Sequence, residues 1–297
     1  MLGHVDHGKT TLLDAIRKSD LKTKEYGGIT QHIGAYQIEY QGKKITFIDT
    51  PGHTAFAKMR SHGAQVTDLA VLVIAADEGV KPQTKESLSH IKEAKIPFLI
   101  AINKIDLADA SPERVKKKLI EEGVLLEEYG GDIVSVEVSA KKKQGLDELL
   151  EMIVLIAEME ELKADFQRDF EGVVIDALLD DKKGPLATIL VKNGSLEIGQ
   201  PLFTRTTKGK VKAINDEFNH SLKKALPSQA VEVLGFSDVP SIGAIVSQKE
   251  SVLKEDKGQL IKRKTGEKTE DEKLKIILKT DTQGTLQAVK DLSLIHI

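Results

Sequence analysis

The sequence of 297 residues contains no cysteine and no tryptophan. The lack of cysteine excludes disulfides, thiolate metal sites and cysteine nucleophiles. The aromatic side chains are 8 Phe and 4 Tyr, which are too few to suggest a surface on which nucleic-acid bases stack. Neither sign of charge is in large excess, because 43 Lys and Arg stand against 46 Asp and Glu. The sequence therefore gives no case for a general attraction to nucleic acid.

Long apolar runs are also missing. No run approaches the roughly 20 residues that a helix needs to cross a bilayer, so the sequence predicts no membrane span. Hydrophobic residues make up 40% and charged residues 30% of the chain, which is the balance of a globular protein with a sizeable core. We expect a cytoplasmic protein with two or three domains.

The first motif lies at the start of the chain and fits the phosphate-binding pattern G-x-x-x-x-G-K-[ST]. It consists of Gly3, His4, Val5, Asp6, His7, Gly8, Lys9 and Thr10. Backbone N–H groups of such a loop surround a polyphosphate, while Lys9 adds a positive charge and Thr10 places a hydroxyl on Mg²⁺. The alternative interpretation is an ordinary glycine-containing turn before a helix.

A second motif follows the apolar segment Ile45–Asp49. Because ligands bind at the carboxyl ends of parallel strands, Asp49 is predicted to hold Mg²⁺, and the Gly52 N–H to approach a γ-phosphate. The alternative is a strand that ends in a turn containing Asp. The phosphate-binding motif upstream favours the functional interpretation.

The third and fourth motifs predict which base is bound. The segment Phe98–Ile102 leads into Asn103, Lys104, Ile105 and Asp106, and Ser139, Ala140 and Lys141 follow a later apolar segment. The Asp106 carboxylate can accept from the N1–H and the amine of guanine, whereas adenine presents an acceptor there. Asn103 can bridge the base and the phosphate loop, the Lys104 stem can lie over the ring, and backbone N–H groups of Ser139-Ala140-Lys141 can donate to the guanine carbonyl. The four motifs in order predict guanine nucleotide binding, since unpaired buried polar groups reject the wrong base.

Two further residues are candidates for hydrolysis. His53 follows the Asp49 motif and can order the attacking water, and Thr30 lies in a Gly-rich stretch where its hydroxyl can ligate Mg²⁺ while the γ-phosphate is present. Alternatively, His53 is an exposed loop histidine and Thr30 an ordinary loop threonine. A zinc cluster of His4, His7 and His53 is disfavoured by the phosphate-loop lysine and glycines that lie among them.

The arrangement of apolar segments predicts an α/β fold followed by β structure. Residues 1–165 alternate strands with helices and are predicted to form a P-loop GTPase domain with a parallel-sheet core. Residues 170–248 are predicted to form a small all-β barrel, with a hairpin turn at Asn193-Gly194. Residues 249–272 read as a linker, and residues 273–297 as the truncated start of a further α/β domain. The predicted elements of the first domain are strands Ile45–Asp49, Leu69–Ala75, Phe98–Ile102 and Ile133–Val138, and helices Thr54–Ala64, Gln83–Lys95, Pro112–Glu122 and Gly145–Leu162.

Met1 and Leu2 lead directly into the phosphate-binding motif. A strand normally precedes such a loop, so we expect the first strand of the GTP-binding domain to be missing. We expect the chain to be a fragment of a longer protein.

The sequence resembles the translational GTPases through the segments GHVDHGKT, DTPGH and NKID. Within that group, GGITQHIGAY at Gly27–Tyr36 and the whole stretch Asp49–Thr84 are similar to bacterial-type translation initiation factor two. The similarity continues through Lys183–Gln200, Val231–Pro240 and Lys275–Val289.

The resemblance implies a ribosome-stimulated GTPase that promotes placement of initiator formylmethionyl-tRNA and joining of the ribosomal subunits. It implies GTP or GDP with Mg²⁺ as ligands, and a monovalent cation beside Asp6. His53 matches the catalytic histidine of the family, Lys9 and Thr10 its phosphate and Mg²⁺ residues, and Thr30 its first switch threonine. It further implies a monomer that binds initiator tRNA only through a C-terminal domain absent from this sequence.

Two alternatives remain. One is another translational GTPase, of the elongation or selenocysteine-tRNA type. The other is a GTP-gated binding module in which hydrolysis is incidental.

Overall fold

The computed structural model of the protein describes residues 1–17, 34–50, 63, 66–250 and 278–296. Several predicted features therefore lie outside the described residues, namely Thr30, Gly52, His53, nearly all of helix Thr54–Ala64, and most of the linker 249–272 and of a strand predicted at Lys273–Leu278. Among the described helices, none is long and apolar enough to cross a membrane.

The centre of the first domain is a parallel sheet with the order β1-β4-β5-β6. Successive side chains of β4 point to opposite faces of the sheet, and all six of its residues are buried. The prediction of a parallel-sheet core is thereby confirmed. The four strands are β1 (Leu2–Gly3), β4 (Ala70–Ala75), β5 (Phe98–Asn103) and β6 (Ser135–Glu137).

Contrary to the prediction, a first strand is present in the structure, although it has only two residues. Leu2 is paired with Leu72 and Gly3 with Val73, both in parallel. The approach at Gly3 is so close that a Cβ there would lie 2.4 Å from the Val73 carbonyl oxygen. A cavity of about 640 Å³ lies beside Met1, and Phe47 and Val71 are among the residues that line it.

An antiparallel hairpin lies on the other side of β1. Its strands are β2 (Gly34–Tyr40) and β3 (Lys43–Asp49), and the second begins two residues before the predicted strand. The Met1 ammonium donates to the Ile48 carbonyl oxygen at 2.8 Å, and the Thr50 hydroxyl donates to the Met1 carbonyl oxygen at 2.9 Å. These bonds fix the end of the hairpin beside the phosphate-binding loop.

Helices cover both faces of the sheet. Leu12, Leu13 and Leu149 pack with Val71 and Val73 on one face, while other helix residues pack with Leu72 and Ile74 on the opposite face. The helices are α1 (Lys9–Arg17), α2 (Pro82–Ala94), α3 (Pro112–Glu121) and α4 (Leu146–Met159), close to their predicted bounds where these were given. Ser111 is the N-cap residue of α3, although its side chain makes no capping hydrogen bond.

The second domain is a closed antiparallel barrel with the strand order β7-β8-β14-β11-β10-β15 and a return to β7. Closure removes the unpaired edges that an open sheet would leave. The prediction of a small all-β barrel is confirmed. The strands are β7 (Glu171–Asp180), β8 (Gly184–Asn193), β9 (Leu196–Glu197), β10 (Pro201–Phe203), β11 (Lys208–Asn215), β12 (Ser221–Leu222), β13 (Lys224–Ala225), β14 (Ala230–Phe236) and β15 (Ile245–Ser247).

The predicted hairpin at Asn193-Gly194 is wrong. Strand β9 follows this turn but pairs with β13 rather than with β8. Gly194 does adopt a left-handed φ of 66°, and its N–H donates to the Asp165 carbonyl oxygen at 2.9 Å. The turn therefore places the chain against the segment that joins the two domains.

The barrel packs directly against the β2–β3 hairpin. Ile48 packs with Ile175 and Leu190 in one apolar cluster, and the Lys192 ammonium lies 2.8 Å from the Asp68 carboxylate. A further helix, α5 (Gln283–His296), contacts β7. The further α/β domain stays a prediction.

Candidate nucleotide-binding site

The phosphate-binding motif forms the loop between β1 and α1. The Lys9 ammonium donates to the carbonyl oxygens of Gly3 at 3.0 Å and His4 at 2.8 Å, so the loop curves around this side chain. Left-handed φ values at Asp6 (64°) and Gly8 (84°) produce the curvature. The loop ends at the N-terminus of α1, whose backbone N–H groups form a favourable site for anions.

Two histidines of the loop, His4 and His7, have neighbouring side chains. His7 is fully buried, its Nδ1 lies 3.2 Å from the Val73 carbonyl oxygen, and its ring is 5.0 Å from that of His4. Burial lowers the pKa of His7 to about 4 and also lowers the pKa of His4. His7 is therefore neutral near pH 7, with its proton on Nδ1, because a carbonyl oxygen can only accept. Within the described residues no three potential ligands of the His, Cys, Asp or Glu type lie together as a metal cluster.

Thr10 and Asp49 meet where α1 begins and β3 ends. The Thr10 hydroxyl donates to Asp49 Oδ2 at 3.0 Å, and Asp49 is 1% exposed. Both side chains offer oxygen, the ligand type that Mg²⁺ requires. The donor chemistry at this position thus fits a magnesium ion bound beside the phosphate loop.

Asn103 connects the phosphate loop to the segment after β6. Its Nδ2 donates to the His7 carbonyl oxygen at 3.0 Å, and its Oδ1 accepts from the Ala140 N–H at 3.1 Å. The residue is 1% exposed, so both hydrogen bonds are shielded from water. A Cβ at Gly8 would lie 2.5 Å from Asn103 Nδ2, and the approach therefore depends on glycine at that position.

Asp106 is oriented by Ser139. The Ser139 hydroxyl donates to Asp106 Oδ1 at 2.6 Å and accepts from the Lys142 N–H at 3.0 Å. The hydrogen bond from Ser139 lowers the pKa of Asp106, so the carboxylate is ionised at neutral pH and can accept from two donors of a base. Lys141, in the same segment, is exposed.

Sequence reasoning missed two acidic residues at this edge of the sheet. Asp77 and Glu78 follow the buried strand β4 after one intervening residue, and the Lys104 ammonium lies 3.5 Å from a Glu78 oxygen and 3.8 Å from an Asp77 oxygen. Burial alone would raise the pKa of Glu78, but His7 and the ammonium groups of Lys104 and Lys81 lower it overall. Polar residues directly after a buried strand were the signal that could have identified both.

The described candidate residues converge on one edge of the sheet. The phosphate loop follows β1, Asp49 ends β3, Asn103 ends β5, and Ser139 follows β6. Thr30, Gly52 and His53 belong to segments that the structure does not describe. The geometry thus brings together the elements predicted for phosphate, magnesium and guanine binding.

Two family models match the chain. The model for the elongation factor Tu GTP binding domain matches residues 1–159, which is more than half of the 297 residues. The model for elongation factor G domain 2 matches residues 169–249. The chain belongs to the elongation factor Tu GTP-binding domain family.

Curated relatives confirm the resemblance to bacterial initiation factors. A protein named translation initiation factor IF-2 from Pelotomaculum thermopropionicum is 50% identical over 314 aligned residues, which cover 98% of this chain and 32% of the relative. A protein with the same name from Halothermothrix orenii is 55% identical over 257 residues, covering 86% of this chain and 37% of the relative. The chain thus spans about a third of the length of these relatives.

Solved structures share the fold of this GTP-binding family member. A bacterial selenocysteine-specific elongation factor matches with a TM-score of 0.68 and 25% identity, covering 84% of this chain and 44% of that protein. GDP-bound aIF5B from Aeropyrum pernix matches with a TM-score of 0.63 and 28% identity, covering 86% of this chain and 54% of that protein. The predicted order of an α/β domain and a β-barrel is therefore found in known proteins of translation.

Proposed function

We propose that the chain is part of a GTP-hydrolysing translation initiation factor that acts on the ribosome in the cytoplasm. Residues 1–165 would bind the nucleotide and residues 170–248 would form the second domain. The observation that carries the proposal is the Asn103 side chain, which bonds to the phosphate loop at 3.0 Å and to the Ser139-Ala140-Lys141 segment at 3.1 Å. One side chain thus joins the predicted phosphate and guanine sites.

The nucleotide would lie along this edge with its phosphates at the N-terminus of α1. The loop Gly3–Thr10 would donate backbone N–H groups to the phosphates, and Lys9 would neutralise part of their charge. Thr10, Asp49 and Thr30 would hold Mg²⁺, which when bound would neutralise the charge that develops on the phosphates. Asp6 would lie beside a monovalent cation.

The base would be read by the segments after β5 and β6. The Asp106 carboxylate would accept from the N1–H and the amine of guanine, and the Lys104 stem would lie over the ring. Backbone N–H groups of the segment Ser139-Ala140-Lys141 would donate to the guanine carbonyl oxygen. An adenine base would leave Asp106 facing an acceptor, which is the costly mismatch on which the discrimination depends.

Hydrolysis would be promoted by His53 and Gly52. His53 would orient a water molecule for attack on the γ-phosphorus, and the Gly52 N–H would donate to a γ-phosphate oxygen. The new bond joins the water oxygen to phosphorus, while the bond from phosphorus to the β-phosphate oxygen breaks and leaves GDP. The support for these roles is the sequence of the Asp49 motif and its place directly after β3.

The partners of the whole factor would be the small and large ribosomal subunits. Initiator formylmethionyl-tRNA would bind through a C-terminal domain outside this chain, and the factor would act as a monomer that promotes subunit joining. The support is the identity of about half of the aligned residues with proteins named translation initiation factor IF-2.

Titration of the 297-residue chain with fluorescent GDP and ADP, with Mg²⁺ present, tests nucleotide choice. We expect GDP binding, no comparable ADP binding, and a loss of roughly 100-fold or more in GDP affinity in Asp106→Ala, since two base donors lose their acceptor. Asp109→Ala is the matched control because Asp109 is an exposed carboxylate of the same loop. Equal binding of ADP, or binding of neither nucleotide, would refute the proposal.

Ribosome-stimulated GTP hydrolysis tests the enzymatic part. His53→Ala should abolish stimulated turnover and leave GDP affinity unchanged, whereas the exposed His220→Ala should change neither. Full turnover in His53→Ala would show that His53 is not the catalytic residue. If His53→Ala lost turnover but still supported subunit joining at the normal rate, a GTP-gated module with incidental hydrolysis would be favoured.

A selenocysteine-tRNA or elongation type remains the second candidate, because a solved selenocysteine-specific elongation factor shares the fold. Binding to ribosomes assembled with initiator tRNA rather than to elongating ribosomes would favour the initiation factor.

A further inference from the structure

Lys104 has two acidic neighbours in the turn that follows a different strand. Its ammonium lies 3.5 Å from Glu78 Oε1 and 3.8 Å from Asp77 Oδ2, and Ala76 alone separates these two residues from the end of β4. The three side chains are 26%, 31% and 23% exposed, in the order Lys104, Glu78 and Asp77. The arrangement is therefore a partly buried pairing at the edge where the nucleotide site lies.

The segment that carries the two carboxylates is held firmly in place. The Ala76 N–H donates to the Asn103 carbonyl oxygen at 2.8 Å, and the Ser111 N–H donates to the Ala76 carbonyl oxygen at 3.0 Å. The Arg114 guanidinium donates to the Asp77 carbonyl oxygen at 2.6 Å. The backbone of this segment is thus bonded to the ends of β5 and α3, and it offers the carboxylates at a fixed position.

The orientation of the Glu78 carboxylate is fixed as well. While Oε1 faces Lys104, Oε2 lies 3.4 Å from the Lys81 ammonium just before α2. Each oxygen therefore faces a different cation, and rotation of the carboxylate would break one of the two contacts.

Lys104 needs such a constraint more than most residues of the site. It lies at φ 65°, in the left-handed region, so its backbone direction is defined, but its four-carbon stem is flexible. A free stem would lose rotamer freedom when it closed over a base, and this loss would weaken binding. Fixing the ammonium at the far end removes much of that loss before the nucleotide arrives.

We propose that Asp77 and Glu78 are positioning residues, which hold the Lys104 ammonium so that its stem is already placed over the guanine ring. The inference rests on the proposed function, in which the Lys104 stem contacts the base. It assigns a role in nucleotide affinity to the segment after β4, which lies outside the four motifs. Because the stem contacts the face of the ring, the carboxylates affect affinity for any 6-oxopurine and leave the reading of the exocyclic amine to Asp106.

A double-mutant cycle on the 297-residue chain tests this role. Fluorescence titration gives the GDP dissociation constants of the unaltered chain, Glu78→Gln, Lys104→Met and the double variant. We expect Glu78→Gln alone to weaken GDP binding by about three- to fivefold, the scale of a partly exposed ion pair. In the Lys104→Met background the same change should have almost no effect, because the side chain that it positions is gone.

Inosine diphosphate separates positioning from base reading, since inosine lacks the exocyclic amine. Glu78→Gln should weaken GDP and inosine diphosphate by the same factor, whereas Asp106→Ala should change their ratio. Glu121→Gln is the matched control, because it removes an exposed carboxylate 2.6 Å from Lys118 on α3 and should leave GDP affinity unchanged. Asp77→Asn provides a second variant, which should also weaken GDP binding.

The outcomes are distinguishable. If Glu78→Gln and Asp77→Asn bind GDP as the unaltered chain does, or if Glu78→Gln has its full effect without Lys104, the positioning role is wrong while the proposed function stands. If the unaltered chain binds no GDP, the proposed function fails and the inference fails with it.

Discussion

Substitution of Gly8 by alanine perturbs the point where the phosphate-binding motif meets the segment that is proposed to bind the base. Gly8 has a φ of 84°, and an L-residue in the left-handed region costs roughly 1–2 kcal/mol. The added Cβ would lie 2.5 Å from Asn103 Nδ2, so the Asn103 side chain has to move. Its hydrogen bonds to the His7 carbonyl oxygen and the Ala140 N–H are then weakened or lost, at about 1 kcal/mol each. We expect Gly8→Ala to lower the free energy of unfolding by about 3–4 kcal/mol in total.

Gly123→Ala is a matched control for this prediction. Gly123 has a φ of 75°, almost the same backbone strain, but a Cβ there would meet no heavy atom within 4 Å. Urea unfolding should therefore show a loss of roughly 1–2 kcal/mol for Gly123→Ala, the strain alone. The difference between the two variants isolates the contact with Asn103.

Nucleotide binding gives a second readout of the same perturbation. Displacement of Asn103 separates the phosphate loop from the Ser139-Ala140-Lys141 segment, so GDP affinity should fall as well. Gly123→Ala should bind GDP as the unaltered chain does, because the residue lies after α3 and away from the site. If Gly8→Ala were no less stable than Gly123→Ala and bound GDP normally, the argument from the Asn103 contact would be wrong.

Three further predictions concern buried polar groups. Asn103→Ala should lower the free energy of unfolding by about 2–3 kcal/mol in urea, because it leaves two buried partners unsatisfied. The pKa of His7 is lowered to about 4, so between pH 6.5 and 4 the unfolded chain binds a proton that the folded chain does not. The free energy of unfolding should therefore fall by roughly 3 kcal/mol as the pH drops through this range. Urea unfolding at a series of pH values should show a smaller fall for His7→Asn, and an unchanged fall for the control His220→Asn. Lys116→Met should lower the free energy of unfolding by about 1–2 kcal/mol, because the Lys116 ammonium lies within 3.5 Å of three carboxylates that are themselves partly exposed. Lys118→Met, on the exposed face of the same helix, should cost less than about 1 kcal/mol in the same urea unfolding measurement.

The sequence predicts the buried strands well because their apolar runs reflect burial on both faces. Strand β4 is predicted at Leu69–Ala75 and found at Ala70–Ala75. Strand β1 could not be predicted in the same way, since two residues show no periodicity. It exists because Gly3 lets the backbone approach Val73, a contact between residues 70 positions apart.

The turn at Asn193-Gly194 shows a different limit. The local expectation is correct, since Gly194 is left-handed, but the hairpin is not formed. The pairing partner of a two-residue strand is decided by tertiary packing, and Leu196 on β9 is paired with Ala225 instead. Local turn chemistry predicts the conformation of a residue, whereas the strand that pairs with it depends on the rest of the barrel.

In the candidate site, some residues could be identified from the sequence and others could not. Asn103 and Asp106 could be identified from the sequence because a polar residue after a buried parallel strand has few structural reasons to be there, and the carboxyl ends of such strands share one edge. Asp77 and Glu78 satisfy the same condition after β4, yet they were missed because their partner is Lys104 rather than a predicted ligand. The edge therefore contains residues that would contact the nucleotide and residues that hold those residues in place. Only distances between side chains distinguish the two groups, because every strand end has the same place in the topology.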